Sequence, residues 1–124
     1  MINENYKIIR GYEIKPGANL EGANLYFAYL EQDNLSGANL TRVNLRRAEC
    51  WRTDFEGANL EGAKLYWTNL REAKLEGANL EGANLTGANL EGANLTGANL
   101  EGMLIDDGTY VGAFELRTYV IGRV

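Results

Sequence analysis

The stretch GANLEGANLTGANLEGANLTGANLEG, residues 77–102, repeats one five-residue pattern without a fault. The same pattern, read back toward the N-terminus, gives seventeen consecutive units from Ala18 to Gly102. Leucine fills the third place in fifteen units, alanine the first in thirteen, asparagine the second in twelve and glycine the fifth in ten. A period of five fits neither the 3.6-residue turn of an α-helix nor the two-residue alternation of a flat strand. The sequence therefore predicts a repeat architecture.

The pattern also predicts the shape of one unit. In Ala-Asn-Leu, strand-like alternation points alanine and leucine to one side and asparagine to the other. The next two residues turn the chain, and glycine supplies the positive φ that a type II turn needs at its second central position. Four such sides close a square of twenty residues. Coils stacked at ~4.8 Å would build a rod of roughly 20 Å from seventeen units.

Residues 18–102, about two thirds of the chain, resemble the pentapeptide-repeat family, whose pattern is Ala-(Asp/Asn)-Leu-X-X. The resemblance implies an all-β fold: a right-handed four-sided parallel β-helix of about four coils. It implies little about function, because members of the family are biochemically diverse. Leucine-rich repeats do not fit, because they require a different spacing of leucine and asparagine.

The two ends leave the repeat register. We expect residues 1–17 to cap the first coil with one or two strands, and residues 103–124 to form either a cap on the last coil or a homodimer interface. Related pentapeptide proteins pair through C-terminal segments, which keeps the second alternative open. The residues behind these expectations are the apolar Ile2, Ile8, Ile9, Tyr12 and Ile14, the corner Pro16-Gly17, and Met103 and Ile105 in the alanine and leucine places.

Composition excludes several classes of function. The 124 residues carry a net charge of −5, which argues against nucleic-acid and membrane-surface binding. One cysteine and no histidine remove most metal sites and nucleophilic triads. No apolar run is long enough to span a bilayer, and no signal core is evident, so we expect a cytoplasmic protein. We predict no catalytic residue, no metal and no cofactor.

Departures from the repeat fall on one side of the predicted square. Residues twenty apart should stack, and this register collects every outward aromatic residue of the repeat and four of its five arginines. We call this set the aromatic–arginine face. It consists of Tyr26, Phe27, Tyr29, Arg46, Arg47, Trp51, Arg52, Tyr66, Trp67 and Arg71.

Two interpretations of the aromatic–arginine face remain open, and they are compatible. In the structural one, Arg46 stacks between Tyr26 and Tyr66, and Arg47 between its ring neighbours in the adjacent coils, as cation–π ladders. In the functional one, the face binds an unidentified protein partner, since Tyr, Trp and Arg dominate binding hot spots.

Three further predictions concern local structure. Seven corners lack glycine at the fifth place, and we expect these to adopt a negative φ that any side chain tolerates. Cys50 and Phe55 replace core leucines of one coil, which suggests a compensated change of volume. Asp33 lies in an inward place beside Thr53, and we expect a hydrogen bond between them. The seven corner residues are Phe27, Gln32, Arg42, Arg47, Arg52, Trp67 and Glu72.

The function that the sequence favours is a non-enzymatic scaffold for protein–protein interaction. A filled Leu/Ala interior leaves no pocket for catalysis. The resemblance also implies a DNA-mimic binder of a type II topoisomerase, because similar quinolone-resistance factors act in that way. Residues 42–74, however, carry seven basic against five acidic groups, which disfavours mimicry of DNA. A purely structural spacer or an idealised repeat is the remaining alternative.

Overall fold

The computed structural model describes residues 6–112 and 121–123, and the repeat winds into the predicted four-sided coil. Parallel bridges join second-place residues twenty apart, as in the column from Asn19 through Asn39 to Asn59. Three more columns begin at Asn24, Tyr29 and Asn34. The four-sided parallel β-helix is therefore confirmed.

The interior holds the first and third places of the units. Leucine and alanine from successive coils form one continuous buried cluster, with Met103 and Ile105 extending it at the far end. Cys50 and Phe55 occupy third places with no exposed surface. Their compensation of volume stays a prediction.

A unit can satisfy all five of its backbone N–H groups. In the unit 58–62, the first N–H closes the preceding corner, and the second and third bond to the coils on either side. The fourth donates to Oδ1 of Asn59 at 3.0 Å. The fifth, from Gly62, donates to the carbonyl of Glu81 in the next coil at 2.8 Å. Asparagine is thus favoured at the second place because its side chain caps the corner.

The prediction for the corners without glycine is wrong. All seven keep a positive φ, between 54° at Trp67 and 62° at Gln32, and so match the glycine corners. The complete set is Phe27, Gln32, Arg42, Arg47, Arg52, Trp67 and Glu72.

Hydrogen bonds along the stack explain this geometry. At the Arg46–Arg47 corner, the Arg47 N–H donates to Tyr66 at 2.9 Å, and the Arg46 carbonyl accepts from Phe27 at 2.8 Å. A turn with negative φ would reverse this central peptide and break both bonds. A left-handed side-chain residue costs about 1–2 kcal/mol. Two hydrogen bonds contribute ~0.5–1.5 kcal/mol each, and leaving their groups unpaired costs more, so the stack prevails.

The N-terminal residues form a hairpin against the first coil. Strands β1 (Lys7–Ile9) and β2 (Tyr12–Ile14) pair antiparallel. Arg10 and Gly11 join them with positive φ at both positions, as a type I′ turn requires. Ile14 is buried, and Ile9 and Tyr12 pack against the core. Two of the expected strands are therefore present, and Ile2 lies outside the described residues.

The entering corner has the predicted chemistry. Pro16 and Gly17 are the two central residues, and the N–H of Ala18 closes the turn on the Lys15 carbonyl at 3.2 Å. Gly17 has a φ of 70°. The chain therefore enters the repeat through a corner like those that follow.

The last coil contains one extra residue. Asn84 bridges to Leu104, twenty residues on, whereas Asn89 bridges to Tyr110, twenty-one residues on. Strand β3 (Met103–Ile105) pairs in parallel with β4 (Ile121–Arg123). β4 thus covers this part of the last coil. Residues 113–120 of the expected cap or dimer segment lie outside the described residues.

The expected bond between Asp33 and Thr53 is absent. The Thr53 hydroxyl donates its single proton to the Leu30 carbonyl at 2.6 Å. The Asp33 carboxylate meets the Lys7 ammonium of β1 at 2.8 Å. Because a carboxylate can only accept, the hydroxyl has no second proton to offer it.

Candidate protein-interaction face

The coil register brings the predicted face residues together. Tyr26-Phe27, Arg46-Arg47 and Tyr66-Trp67 stack as one corner column, because each fifth-place N–H bonds to the next coil. Tyr29 begins the adjoining side, where it bridges to Glu49. Trp51-Arg52 and Arg71-Glu72 form the corner column that closes this side.

Exposed apolar side chains concentrate on this part of the surface. Tyr29 is 68 % exposed, and Ile8, contributed by β1, is 64 % exposed. Tyr110 is also exposed and joins the same side, because it bridges to Asn89. Within the described ranges only Tyr6 is a large exposed hydrophobic residue outside this group. The full set apart from Tyr6 is Ile8, Tyr26, Phe27, Tyr29, Trp67 and Tyr110.

Cation–π stacking is present, with one partner different from that predicted. The Arg47 guanidinium lies 6.0 Å from the centre of the Phe27 ring and 4.7 Å from that of Trp67. Arg46 lies 5.8 Å from the Tyr66 ring. The Tyr26 ring instead receives Arg10, at 4.6 Å. The Arg47 ladder is therefore confirmed, whereas the Tyr26–Arg46 contact is wrong because the hairpin turn occupies that ring.

The cations of the face and of the adjoining side that carries Lys64 fall into two groups. Arg52 pairs with Glu72 at 2.7 Å, and Arg71 with Glu91 at 3.1 Å. Among residues 6–112, Arg46, Arg47 and Lys64 form no ion pair with a carboxylate. A locally positive surface therefore remains on a chain whose net charge is −5.

A shallow depression lies beside the Arg46–Arg47 corner. Arg46, Lys64, Tyr66 and Trp67 line it, and we call it the cationic depression. Trp67 lies flat over the next coil, where a Cβ added to Gly87 would come within 2.2 Å of its Cδ1 atom. Glycine at that position therefore permits the ring to lie where it does.

The face also lacks asparagine caps that the repeat provides elsewhere. Tyr29, Glu49 and Lys64 occupy second places, where asparagine would accept the N–H two residues later. In the described part of the chain, the N–H groups of Glu31, Trp51 and Tyr66 have no side-chain acceptor. The residues at these places therefore do not serve the corner geometry.

Sequence reasoning missed three residues of this surface. Ile8 and Arg10 belong to the hairpin, whose docking position the repeat register does not predict. Tyr110 is displaced by the extra residue in the last coil, and a strict twenty-residue register puts Thr109 in its place. The Asp-Asp-Gly turn signal at 106–108 was the one hint of that insertion.

Within residues 6–112, no reactive side chain stands out near the face. Burial raises the pKa of the Cys50 thiol well above its usual range, so the thiol is held protonated. Among the residues that the structure describes, no group of three or more Cys, Asp or Glu side chains could hold a metal ion. The same residues include no helix that is long and apolar enough to cross a membrane.

The family model for pentapeptide repeats matches the chain in eight copies, over residues 18–62, 34–71 and 63–102. The chain therefore belongs to the pentapeptide-repeat family, whose members form right-handed four-sided β-helices. No curated protein matches the sequence significantly.

Several solved pentapeptide-repeat structures are similar. HetL from Nostoc sp. strain PCC 7120, involved in heterocyst differentiation regulation, is 40 % identical over 71 % of this chain, with a TM-score of 0.48. Rfr23 from Cyanothece 51142 is 38 % identical over 71 %, with a TM-score of 0.51. The chain spans 40 % of HetL and 63 % of Rfr23.

A third similar structure is QnrB1, a plasmid-mediated fluoroquinolone resistance protein. It is 17 % identical over 86 % of this chain and 66 % of its own, with a TM-score of 0.52. At this identity the likeness concerns the fold alone.

Proposed function

We propose that the protein is a non-enzymatic scaffold that binds a protein partner through the aromatic–arginine face. The observation that carries this proposal is the segregation of exposed apolar side chains onto one side of the coil. An exposed aromatic group of this kind commonly marks an interaction site. The rigid stack of coils would present it without loss of order on binding.

Internal stabilisation explains part of the face but not all of it. Stacking on Phe27 and Trp67 is sufficient reason for Arg47. Tyr29 is different, because in the described residues its ring meets neither a cation nor another ring. It also stands where asparagine would cap a corner. Residues that depart from a local rule without a structural gain are expected at functional sites.

The test compares two variants of the same chain. The first replaces Arg46, Arg47, Trp51 and Trp67 by Thr, Gly, Thr and Gly, the repeat residues for those places. A control carries Glu56→Thr and Glu76→Thr on the opposite corner column. We expect both to fold, by circular dichroism and thermal unfolding, and only the first to lose a partner captured by the wild type. Capture that survives in the first variant would refute the proposal.

Mimicry of DNA toward a type II topoisomerase is the second candidate, and QnrB1 supports it only through the shared fold. The uncompensated cations argue against it, because a basic DNA-binding groove would repel them. A supercoiling assay with excess protein separates the two. Inhibition that the four-residue variant retains would favour mimicry.

Assembly and location remain proposals as well. A homodimer through residues 103–124 would place two rods end to end, although β4 covers the β3 edge within one chain. Light scattering of a chain truncated after Gly112 would distinguish a dimer interface from a cap. We propose a cytoplasmic location, and fractionation of the host cell would test it.

A further inference from the structure

We infer that the cationic depression binds an acidic side chain of the protein partner, with an adjoining apolar residue of that partner on Trp67. This inference rests on the proposed function and specifies its partner. The depression combines two cations, Arg46 and Lys64, with two rings, Tyr66 and Trp67. A carboxylate next to an apolar side chain complements both features.

The charge of the depression is free to act on a ligand. Three arginines of the repeat, Arg42, Arg52 and Arg71, are each paired with a glutamate of the chain. Arg46 and Lys64 have no such carboxylate partner among residues 6–112. The side that carries Lys64 continues with Asn44 below it and Asn84 above it, so no acidic side chain shares its column.

Trp67 forms an ordered apolar wall of the cationic depression. Its ring is held on one side by Arg47, at 4.7 Å, and rests over Gly87 on the other. Its tilted contact with Tyr66, 6.2 Å between ring centres, keeps the two rings at one edge of the depression. An ordered aromatic surface of this kind costs little entropy to use in binding.

A single acidic segment fits this surface better than a nucleic acid does. The far edge of the side that carries Lys64 is a corner column with glutamates at Glu61, Glu81 and Glu101. A long polyanion lying across the rod would meet that column and be repelled. A short acidic segment would contact the cations without reaching it.

The chain offers a matched pair of substitutions for the test. Lys64 and Lys74 stand at the second place of two Ala-Lys-Leu units, and both are exposed. Lys64→Asn removes a cation from the depression, whereas Lys74→Asn removes one from another side, where Asp54 lies directly below. Each change restores the repeat asparagine and alters the net charge equally.

Binding is measured with a short fluorescein-labelled peptide of glutamate and leucine, by anisotropy. Its lysine–leucine counterpart and a single-stranded oligonucleotide of equal charge serve as comparison probes. We expect the acidic peptide to bind and Lys64→Asn to weaken it about threefold to fivefold, as for loss of one ion pair. Lys74→Asn should change it less than about twofold, and added salt should weaken it.

Tryptophan emission shows whether the acidic peptide binds next to Trp67. In a Trp51→Thr chain, Trp67 is the remaining tryptophan, and its emission should change on addition of the acidic peptide. No binding of this peptide, equal weakening by both lysine variants, or tighter binding of the oligonucleotide would overturn the inference. If partner capture still requires the aromatic–arginine face but is insensitive to Lys64→Asn, the inference fails while the proposed function stands.

Discussion

Two opposite sides of the coil share one backbone and differ in their side chains. One side carries an unbroken asparagine column, in which Asn39 donates to Asn19 at 3.2 Å and Asn99 to Asn79 at 3.2 Å. On the other, the same places hold Tyr29 and then Glu49, before asparagine resumes. The asparagine side is therefore built for the stack, and the aromatic–arginine face departs from that design in the first coils.

Two buried threonines, Thr53 and Thr68, and the half-buried Thr109 strengthen this contrast. Thr68 and Thr109 donate their hydroxyls to the carbonyls of Leu45 and Leu85, at 2.7 and 2.8 Å. Thr53 does the same at Leu30. Each of these leucine carbonyls begins a corner that bounds the aromatic–arginine face. Hydrogen bonds inside the coil therefore stabilise the corners of the aromatic–arginine face, although its outward residues depart from the repeat.

The largest effect on stability should come from adding a methyl group at Gly87, next to the Trp67 ring. Gly87 and Gly97 have the same φ of 72°. Alanine at either would suffer the strain of a positive φ, about 1 kcal/mol. At Gly87 it would also displace the Trp67 ring, so we expect a loss of ~2–3 kcal/mol in unfolding free energy. Urea unfolding of both variants measures the difference, and equal losses would show that the ring does not rest there.

The sequence predicted the fold because every level of the repeat agrees. Small and large inward residues, an outward amide and a glycine corner recur with one period, and only a four-sided coil satisfies all of them. The corner geometry was mispredicted because we weighed the strain at a single residue such as Arg47. The decisive term is the bonding of its peptide to neighbouring coils, which a local rule does not contain.

The candidate site was predictable only as a column of residues. Stacking every twenty residues placed Arg47 between Phe27 and Trp67 correctly. It could not show that Arg10 covers Tyr26, since the hairpin obeys no repeat. That Lys64 forms no ion pair with another described residue also depends on side-chain positions that a register does not supply.

The next largest effect on stability should come from removing a threonine hydroxyl bond inside the coil. Thr68→Val keeps the shape of the side chain and removes the hydroxyl that reaches Leu45. Valine already occupies the same inward place at Val43, where it is fully buried, so it fits. The Leu45 carbonyl would retain its bond from Ala48 at 3.0 Å. We therefore expect a loss of about 1 kcal/mol in unfolding free energy, measured by urea titration.

Partner capture by the Thr68→Val variant is measured in parallel with its stability. Reduced capture by a folded Thr68→Val chain would show that the Thr68 hydroxyl bond helps to hold the aromatic–arginine face in its binding geometry. A loss of stability close to zero would instead show that the hydroxyl bond adds nothing to the corner.

A smaller effect of opposite sign should follow from Tyr29→Asn. The new side chain would cap the N–H of Glu31, as Asn69 caps that of Arg71 at 3.1 Å. We expect stabilisation of about 0.5–1 kcal/mol together with weaker partner capture, the trade-off expected where function overrides stability. Asn59→Tyr makes the reverse change on the asparagine side and should destabilise without affecting capture. If Tyr29→Asn stabilises the chain and leaves partner capture unchanged, Tyr29 does not contribute to binding.

The smallest effect lies where the corner column of the face ends, at Asp106. Its Oδ1 accepts the N–H of Gly87 at 3.0 Å, in place of the carbonyl used in earlier coils, and also the N–H of Gly108 and the hydroxyl of Thr109. The bond from Gly87 is the main cause that lowers the pKa of Asp106 below its usual 3.8, although partial desolvation opposes it. A carboxyl group whose pKa is lowered by folding stabilises the protein above its unfolded pKa. That contribution is lost as the pH falls through the folded value.

Asp106→Asn tests this end of the column by pH dependence. The amide oxygen can still accept one bond but carries no charge, so the variant should be less stable than the wild type at pH 7. The difference should shrink as the pH falls below about 3.8, because the wild-type carboxyl is then protonated first in the unfolded chain and, at lower pH, in the folded one. Thermal unfolding at pH 7 and near pH 2.5 measures both differences. A gap that stays constant with pH would mean that the charge of Asp106 does not hold the end of the face, and that its shape and hydrogen bonds alone do so.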